Sequence, residues 1–263
     1  MSYVYWKRTG SENMVAEIVL DRPEVKNAFN TAMAEQLLQI CREISESDCR
    51  VVVLASSSPG AFCAGADLKE RNRMTEEEWR SQHKIFEKMF YAVADLPQPV
   101  IAAVDGYALA GGFELALNCD MIVAARTAVF GLPEVTRGIM PGGGASRLLP
   151  KRIGLHRTKE WLCTGRFIPA EEAHQAGLIN ILTDSEHVRE KWMELAETIA
   201  LNAPLAVQAC KQASDRLFGM DDREAREQEL VYYNRCVDTE DRLEGVRAFV
   251  EKRPPQFKGA SKG

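Results

Sequence analysis

Two glutamates in a stretch rich in glycine and apolar residues are the best candidates for chemistry in this 263-residue chain. Glu114 lies in the segment GGFELAL, and Glu134 follows Pro133 further along. Taken singly, either glutamate could face solvent from a short element. The neighbours of Glu114 argue against exposure, because they leave little polar face. Burial raises the pKa of a carboxyl group and suits it to proton transfer near neutral pH. The stretch therefore predicts general acid and base chemistry.

The glycine turn before Glu114 predicts a second part of such a site. Gly111 and Gly112 open a predicted helix, where the first backbone N–H groups have no carbonyl partner in the helix. Such N–H groups can stabilise an oxyanion. Glycines also occur simply where a turn or close packing requires them. The loop 62–69, FCAGADLK, follows a predicted buried strand, and ligands of α/β sheets bind beyond the carboxyl ends of such strands.

Other catalytic patterns are weaker. No GxGxxG follows the first strand, and the turn at 141–144, PGGG, lacks the GK[ST] of a phosphate-binding loop. The segment 61–65, AFCAG, is a degenerate form of the nucleophile elbow, with Ala61 at the first glycine. Cys63 would then need a histidine partner. The four histidines lie in or beside predicted helices without shared ligand spacing, so we expect neither a Cys nucleophile nor a metal site.

Composition excludes several classes of protein. A hydrophobic content of 46% and a charged content of 27% are typical of a globular protein with a full core. The net charge of −5 gives no bulk attraction to nucleic acid or anionic membranes. The seven cysteines are scattered, and neither a signal peptide nor a membrane span is evident. We therefore expect a soluble, cytoplasmic protein without disulfides.

The hydrophobic pattern predicts the elements that would position the glutamates. Strands are predicted at 4–7, 14–20, 51–55, 100–104, 121–125, 128–131 and 178–182, the first two as a hairpin. Helices are predicted at 32–45, with Thr31 as N-cap, at 75–95, with Thr75 and Glu78 in capping-box spacing, and at 111–118. Beyond the PGGG turn the pattern is mostly helical, at 145–152, 155–163, 169–175, 185–201, 204–217, 222–237 and 239–252.

This order of elements predicts an α/β fold. Repeated strand–strand–helix units around a mainly parallel sheet indicate a layered spiral. The spiral core with the active site is expected over residues 1–200, followed by a helical region over 201–263. Leu230 to Tyr233 on a late helix fit either a subunit contact or the core of the chain itself. The basic tail is expected to fray beyond Gly259.

Four motifs in this order resemble the crotonase, or enoyl-CoA hydratase/isomerase, superfamily: FCAGADLKE (62–70), DGYALAGGFELALNCD (105–120), FGLPEVTRGIMPGGG (130–144) and EGVRAFVEKRPPQFKG (244–259). The resemblance spans essentially the whole chain, and the mutual spacing of the motifs makes it specific. It implies a crotonase-type spiral of ββα units with a helical C-terminal trimerisation region. It also implies an enoyl-CoA hydratase, which converts a trans-2-enoyl-CoA and water to a 3-hydroxyacyl-CoA without a metal or redox cofactor.

The resemblance further implies roles for individual residues. The backbone N–H groups of Ala66 and Gly111 would bind the thioester oxygen. Glu114 would deprotonate water for attack at C3, and Glu134 would deliver a proton to C2. The acyl-CoA would also lie along Lys26, Ala28, Ala64, Asp67 and Leu68. Phe249 and Lys252 would reach CoA bound to a neighbouring subunit of a homo-oligomer, either a trimer or a dimer of trimers.

The chain departs from the family pattern at two positions. At Ala110 many relatives have glycine, and a methyl group there would narrow the pocket. The segment 142–150, GGGASRLLP, differs from the commoner GGGGTQRLP and has its arginine at Arg147. FCAGADLKER and the C-terminal motif especially resemble the methylglutaconyl-CoA hydratase branch, whose mammalian member also binds AU-rich RNA. In that RNA-binding member a lysine-rich first helix is implicated. The matching segment of this chain, residues 31–48, has Arg42 as its only basic residue, so we expect no RNA binding.

Methylglutaconyl-CoA hydratase and enoyl-CoA isomerase remain the enzymatic alternatives. Lys69, Arg71 and Arg73 would favour an acidic acyl group, although a solvated charge run is the simpler explanation.

Overall fold

Two β-sheets organise the computed structural model, which describes residues 2–259. The strands are β1 (Val4–Thr9), β2 (Val15–Leu20), β3 (Val51–Ser56), β4 (Ala61–Cys63), β5 (Val100–Val104), β6 (Tyr107–Leu109), β7 (Met121–Ala125), β8 (Val129–Gly131), β9 (Phe167–Pro169) and β10 (Ile181–Thr183). The larger sheet has the order β1-β2-β3-β5-β7-β10, and the smaller has the order β4-β6-β8-β9.

The connectivity is that of a spiral. Strands β3, β5 and β7 of the larger sheet are each followed directly by β4, β6 and β8 of the smaller one. One turn of the chain therefore adds one strand to each sheet. All pairs are parallel except β1 with β2 and β8 with β9. This arrangement confirms the α/β spiral with a mainly parallel sheet.

Helices cover the sheets and form the C-terminal region. They are α1 (Thr31–Ser45), α2 (Leu68–Arg71), α3 (Glu76–Ala94), α4 (Gly111–Leu117), α5 (Ala145–Ile153), α6 (Leu155–Thr164), α7 (Ala170–Gln175), α8 (Val188–Ala200), α9 (Pro204–Leu217), α10 (Asp222–Val237) and α11 (Glu240–Glu251). Helix α1 packs on α3, and α8 packs across β2, β3, β5, β7 and β10. No helix within the described residues is both long and apolar enough to cross a membrane.

The predicted capping residue of α1 is wrong by one position. Asn30 is the N-cap, because its side chain accepts a hydrogen bond from Met33 N at 2.9 Å. Thr31 is the first helical residue, and its hydroxyl donates to Glu70 at 3.1 Å instead. Asparagine is the better N-cap of the two, and the contact of Thr31 with Glu70 is compatible with this choice. The capping box of Thr75 and Glu78 is confirmed.

The shortest elements depart most from the prediction. The loop predicted after β3 contains both β4 and α2, and neither β6 nor β9 was anticipated. The strand predicted at 178–182 is shifted to Ile181–Thr183, because Leu178 N bonds to Ala173 O and closes the end of α7. Elements of three or four residues carry too few positions to show a period.

The C-terminal helices expose much apolar surface. Every residue of α10 is at least partly exposed, and Leu230 and Tyr233 are 60% and 65% exposed. The interpretation of Leu230 to Tyr233 as core of this chain is therefore wrong. Helix α9 is tied to the spiral by an ion pair of 2.8 Å between Lys211 and Asp120. The last four positions of the region predicted at 201–263, and with them the predicted fraying beyond Gly259, lie outside the described residues.

Candidate active site

A cavity of about 660 Å³ has both glutamates in its wall. Aromatic rings from the loop before α1 and from α3 form its apolar side, and the segment 139–143 forms another part of the wall. Six of the residues predicted to act in the site line it: Ala64, Ala66, Leu68, Gly111, Glu114 and Glu134. The structure therefore brings together both parts of the predicted chemistry, the carboxyl groups and the glycine turn.

The backbone N–H of Ala66 points away from its neighbouring strand segment. Ala66 forms a parallel bridge with Phe29. The bridge uses Gly65 O, which accepts from Phe29 N at 2.8 Å, and Asp67 N, which donates to Phe29 O at 2.9 Å. Because successive backbone N–H groups of an extended segment point to opposite sides, Ala66 N–H faces the other way. It donates no hydrogen bond within residues 2–259.

The turn that carries Gly111 lies directly against the Ala66 turn. A Cβ atom added to Gly65 would lie 3.2 Å from Gly111 N and 2.9 Å from the Ala110 Cβ. Gly111 is the first residue of α4, so its N–H has no carbonyl partner in the helix. Both N–H groups thus belong to adjoining turns that line one cavity. This is the arrangement needed to bind one oxygen with two donors.

Ala110 adopts a backbone conformation that glycine prefers. Its φ is 49° and its ψ is −129°, and its methyl group lies in the cavity wall. A non-glycine residue in this region stores strain on the order of 1–3 kcal/mol. Ala110 therefore lines the cavity next to Gly111, at the position where the sequence predicts that a methyl group narrows the pocket.

Glu114 is held by the turn that precedes α5. The residue is 3% exposed, and its Oε1 accepts hydrogen bonds from Gly143 N at 2.7 Å and from Ala145 N at 3.1 Å. Burial raises the pKa of Glu114, and these backbone donors partly oppose the rise by stabilising the carboxylate. Glu114 therefore has a fixed orientation and a pKa above the usual range of glutamate.

Glu134 has a different environment. It lies in the 3₁₀ turn Pro133–Arg137, is 8% exposed, and its Oε2 has no hydrogen-bond partner within the described residues. Burial raises the pKa of Glu134 to about 7, and the nearby charge of Glu114 adds to the rise. A carboxyl group with this pKa holds and releases a proton near neutrality. The two glutamates thus share a cavity and differ in their hydrogen bonds.

Comparison with known proteins places this site in a family. Residues 10–260 match the family model described as enoyl-CoA hydratase/isomerase. The chain belongs to the enoyl-CoA hydratase/isomerase family. It is 40% identical over 252 residues to a probable mitochondrial enoyl-CoA hydratase 2 of Arabidopsis thaliana, covering 95% of this chain and 84% of the relative. It is 37% identical over 245 residues to the mitochondrial methylglutaconyl-CoA hydratase of Mus musculus, covering 91% and 78%.

A solved structure from the same family confirms the fold. The crystal structure of an enoyl-CoA hydratase from Bacillus anthracis matches this chain with a TM-score of 0.95 at 41% identity, covering 98% of this chain and 100% of that one. The resemblance to the crotonase superfamily drawn from four motifs is therefore confirmed. In this family setting, the cavity with its two glutamates is the candidate active site.

The remaining residues implied for acyl-CoA binding lie outside the cavity wall. Lys26 is exposed beside the mouth, where its carbonyl accepts from Ala64 N at 3.0 Å, and Ala28 is two residues further along. The Asp67 carboxylate is engaged within the protein, by Arg22 at 2.7 Å and by the first N–H groups of α2. Phe249 is 85% exposed at the end of α11, with Lys252 just beyond that helix.

The Cys63 alternative does not fit the geometry. The Cys63 side chain is fully buried, and its thiol donates to Asn27 O at 3.0 Å. Burial raises the pKa of Cys63 to about 12, so the nucleophilic thiolate is scarce at neutral pH. Within residues 2–259 no group of three or more His, Cys, Asp or Glu side chains is placed to hold a metal ion.

Several further side chains take part in the site. Asn118 Nδ2 donates to Glu114 O at 2.8 Å and to Gly143 O at 2.7 Å, and so joins α4 to the turn that holds the Glu114 carboxylate. Arg71, Trp79 and His83 line the cavity from α2 and α3. The backbone N–H groups that bind Glu114 could have been predicted from the PGGG turn, because N–H groups at the start of a helix bind anions. Nothing in the local sequence pointed to Asn118.

Proposed function

We propose that this protein is an enoyl-CoA hydratase, which adds water across the trans-2 double bond of an enoyl-CoA to give a 3-hydroxyacyl-CoA. One observation carries the proposal: two buried glutamates with raised pKa values line the same cavity as the backbone N–H groups of Ala66 and Gly111. Membership of the family supports an acyl-CoA thioester as substrate.

The backbone N–H groups of Ala66 and Gly111 bind the thioester carbonyl oxygen. As water attacks C3, the π electrons of the double bond move toward this oxygen and an enolate develops. The hydrogen bonds strengthen as negative charge grows, so they stabilise the transition state more than the substrate. Loss of one such donor typically raises the barrier by roughly 3 kcal/mol.

The two glutamates move the protons. Glu114 takes a proton from water while the C3–O bond forms. The enolate then collapses, and its C2 takes a proton from Glu134. After one turnover Glu114 is protonated and Glu134 ionised, and exchange of protons with solvent restores the starting state. Their environments suit these roles, because Glu114 Oε1 is oriented by two N–H donors and Glu134 has a pKa of about 7. This chemistry requires no metal or redox cofactor.

CoA binding and assembly extend the proposal beyond the cavity. The nucleotide and pantetheine arm would lie along Lys26, Ala28, Ala64 and the residues that open α2. Phe249 and Lys252 would contact CoA bound to a neighbouring subunit of a trimer or a dimer of trimers. The exposure of apolar side chains on α10 and α11 supports an assembly through these helices.

Product analysis tests the proposal against the isomerase alternative. Purified protein is incubated separately with crotonyl-CoA and with 3-hexenoyl-CoA, and the products are separated by chromatography. We expect rapid conversion of crotonyl-CoA to 3-hydroxybutyryl-CoA with loss of the enoyl-thioester absorbance. Conversion of 3-hexenoyl-CoA to the 2-enoyl isomer without hydration of crotonyl-CoA would instead identify an isomerase.

A further inference from the structure

The three basic side chains at positions 69, 71 and 73 have different surroundings. Lys69 and Arg73 are exposed and lie outside the cavity wall, as a solvated charge run requires. Arg71 is partly buried and lines the cavity together with the two glutamates. The explanation of the run as solvated surface therefore fails for Arg71 alone.

The Arg71 guanidinium is partly buried and has no carboxylate within 4 Å among residues 2–259. Its central carbon lies 5.1 Å from the ring centroids of both Trp79 and Phe86. Its Nε donates to Gln82 Oε1 at 3.0 Å. The negative charge of the nearby Glu70 acts to raise the pKa of Arg71, but the Glu70 oxygens accept hydrogen bonds from Thr31 and Gln82. Gln82 is the one hydrogen-bond acceptor of this side chain within the described residues, so the rest of the guanidinium is placed to receive an anion.

Contacts along the cavity wall place Arg71 on the side of the acyl group. A Cβ added to Gly111 would lie 2.6 Å from the Phe29 ring, so Phe29 borders the proposed oxyanion site. The Phe29 and Phe86 rings meet edge to face, with centroids 4.8 Å apart, and Arg71 lies over Phe86. An aromatic wall thus leads from the Gly111 N–H to the guanidinium.

The glutamate side of the cavity reaches the same region. A Cβ added to Gly142 would lie 3.0 Å from His83 Cε1, and Gly142 belongs to the turn that holds Glu114. His83 stacks on Trp79 with ring centroids 5.4 Å apart. Because the glutamates act on C2 and C3, a chain that continues past C3 enters the space bounded by His83, Trp79 and Arg71.

We propose that the preferred substrate is a short-chain enoyl-CoA whose acyl group ends in a carboxylate, and that Arg71 binds this carboxylate. The inference rests on the proposed hydratase function and adds the substrate class. A guanidinium presents a planar fork of N–H donors that matches a carboxylate, and a desolvated site strengthens the pairing. An aliphatic chain would offer the partly buried guanidinium no anion to pair with. Glu87 also lines the cavity, and its Oε1 lies 3.5 Å from His83 Nε2.

A pair of isosteric substrates tests the proposal. Glutaconyl-CoA carries the terminal carboxylate, and 5-methylhex-2-enoyl-CoA replaces it by an isopropyl group. We expect wild type to prefer glutaconyl-CoA in kcat/KM. Arg71→Met should lower kcat/KM for glutaconyl-CoA on the order of 10- to 100-fold, the range for loss of a hydrogen bond to a charged group. Its kcat/KM for the isopropyl substrate should change little. Arg71→Lys keeps the charge but loses the planar set of N–H donors, so its kcat/KM for glutaconyl-CoA should lie between those of wild type and Arg71→Met.

The matched control is Arg73→Gln, which removes a neighbouring exposed arginine and should leave both substrates unchanged. Equal losses of Arg71→Met on both substrates would mean that Arg71 only supports the fold, and would overturn the proposal. Equal weakening of inhibition by free CoA would show that the bound anion is a CoA phosphate, and would also overturn it. If wild type hydrates the isopropyl substrate and rejects glutaconyl-CoA, the proposed substrate class is wrong although the hydratase function is supported. If wild type hydrates no enoyl-CoA, the substrate class and the hydratase function are both wrong.

Discussion

The two cavity glutamates differ in what holds their oxygens. Glu114 Oε1 accepts two backbone hydrogen bonds, whereas Glu134 Oε2 is buried without a partner within the described residues. A carboxylate with such donors is stabilised in its charged form, and a buried oxygen without donors favours the protonated form. These environments support the proposed base role of Glu114 and acid role of Glu134.

This difference predicts a bell-shaped pH profile for kcat/KM. Activity should fall as pH rises through about 7, because Glu134 loses the proton that it delivers. It should also fall at acid pH, because Glu114, whose pKa is raised by burial, becomes protonated and can no longer accept a proton from water. Initial rates with crotonyl-CoA over a broad pH range check this, and the two limbs belong to the coupled pair. A flat profile across neutrality would contradict the assignment.

Asn118 is a positioning residue for Glu114. Replacing it by leucine keeps the branched shape and the number of heavy atoms but removes the hydrogen bonds to Glu114 O and Gly143 O, so the Gly143 N–H that holds the Glu114 carboxylate shifts. We expect kcat to fall by about 10- to 100-fold, since small misplacements of catalytic groups have effects of this size. KM should change much less. Asn202→Leu, at an exposed asparagine outside the cavity, is the control. A change in KM alone would contradict this role.

At the residue scale, the sequence pointed to residues that line the cavity where a residue type and its neighbours limit the chemistry. Glu114 stands out because its flanking residues are apolar, and Gly111 because it opens a helix. Asn118 and Arg71 act through contacts with residues distant in sequence, such as Gly143 and Phe86. Those contacts exist only once the two sheets and α3 are in place. The sequence named Arg71 only together with Lys69 and Arg73, and no local pattern separates it from them or marks Asn118.

At the scale of elements, Gly112 sets how closely α4 approaches β4. A Cβ added to Gly112 would lie 2.1 Å from Cys63 O, a backbone atom of a fully buried strand. Gly112→Ala should therefore destabilise the fold by about 1–3 kcal/mol, as overpacking of a tight core does. Urea unfolding measures this change in the free energy of unfolding. Gly245→Ala, inside α11 with its nearest contact at 3.5 Å, should instead be neutral or stabilising. Equal effects would contradict the packing argument.

Element length decided which elements could be predicted. The long amphipathic helix α1 and the fully buried strand β5 were predicted closely, because their apolar residues recur over several turns or fill every position. The three-residue strands β4 and β6 show neither pattern, although they carry the turns of the candidate oxyanion site. Their formation depends on pairing with each other, which is a tertiary contact.

At the scale of the whole molecule, the C-terminal helices expose many apolar side chains. Val246, Phe249 and Val250 on α11 are 59%, 85% and 74% exposed. Apolar surface on this scale marks an interaction site. Sedimentation velocity at micromolar concentration should therefore show a trimer or a dimer of trimers. A single monomeric species at that concentration would contradict the proposed assembly.

The central claim is that Glu114 and Glu134 together hydrate an enoyl-CoA. The most direct test measures hydration of crotonyl-CoA by wild type, Glu114→Gln and Glu134→Gln, with circular dichroism to confirm folding and the exposed Glu160→Gln as control. Loss of a general acid or base costs about 10²- to 10⁴-fold in rate, so both cavity variants should fall by that factor while the control matches wild type. Inactive wild type, or a folded cavity variant with full activity, would contradict the account.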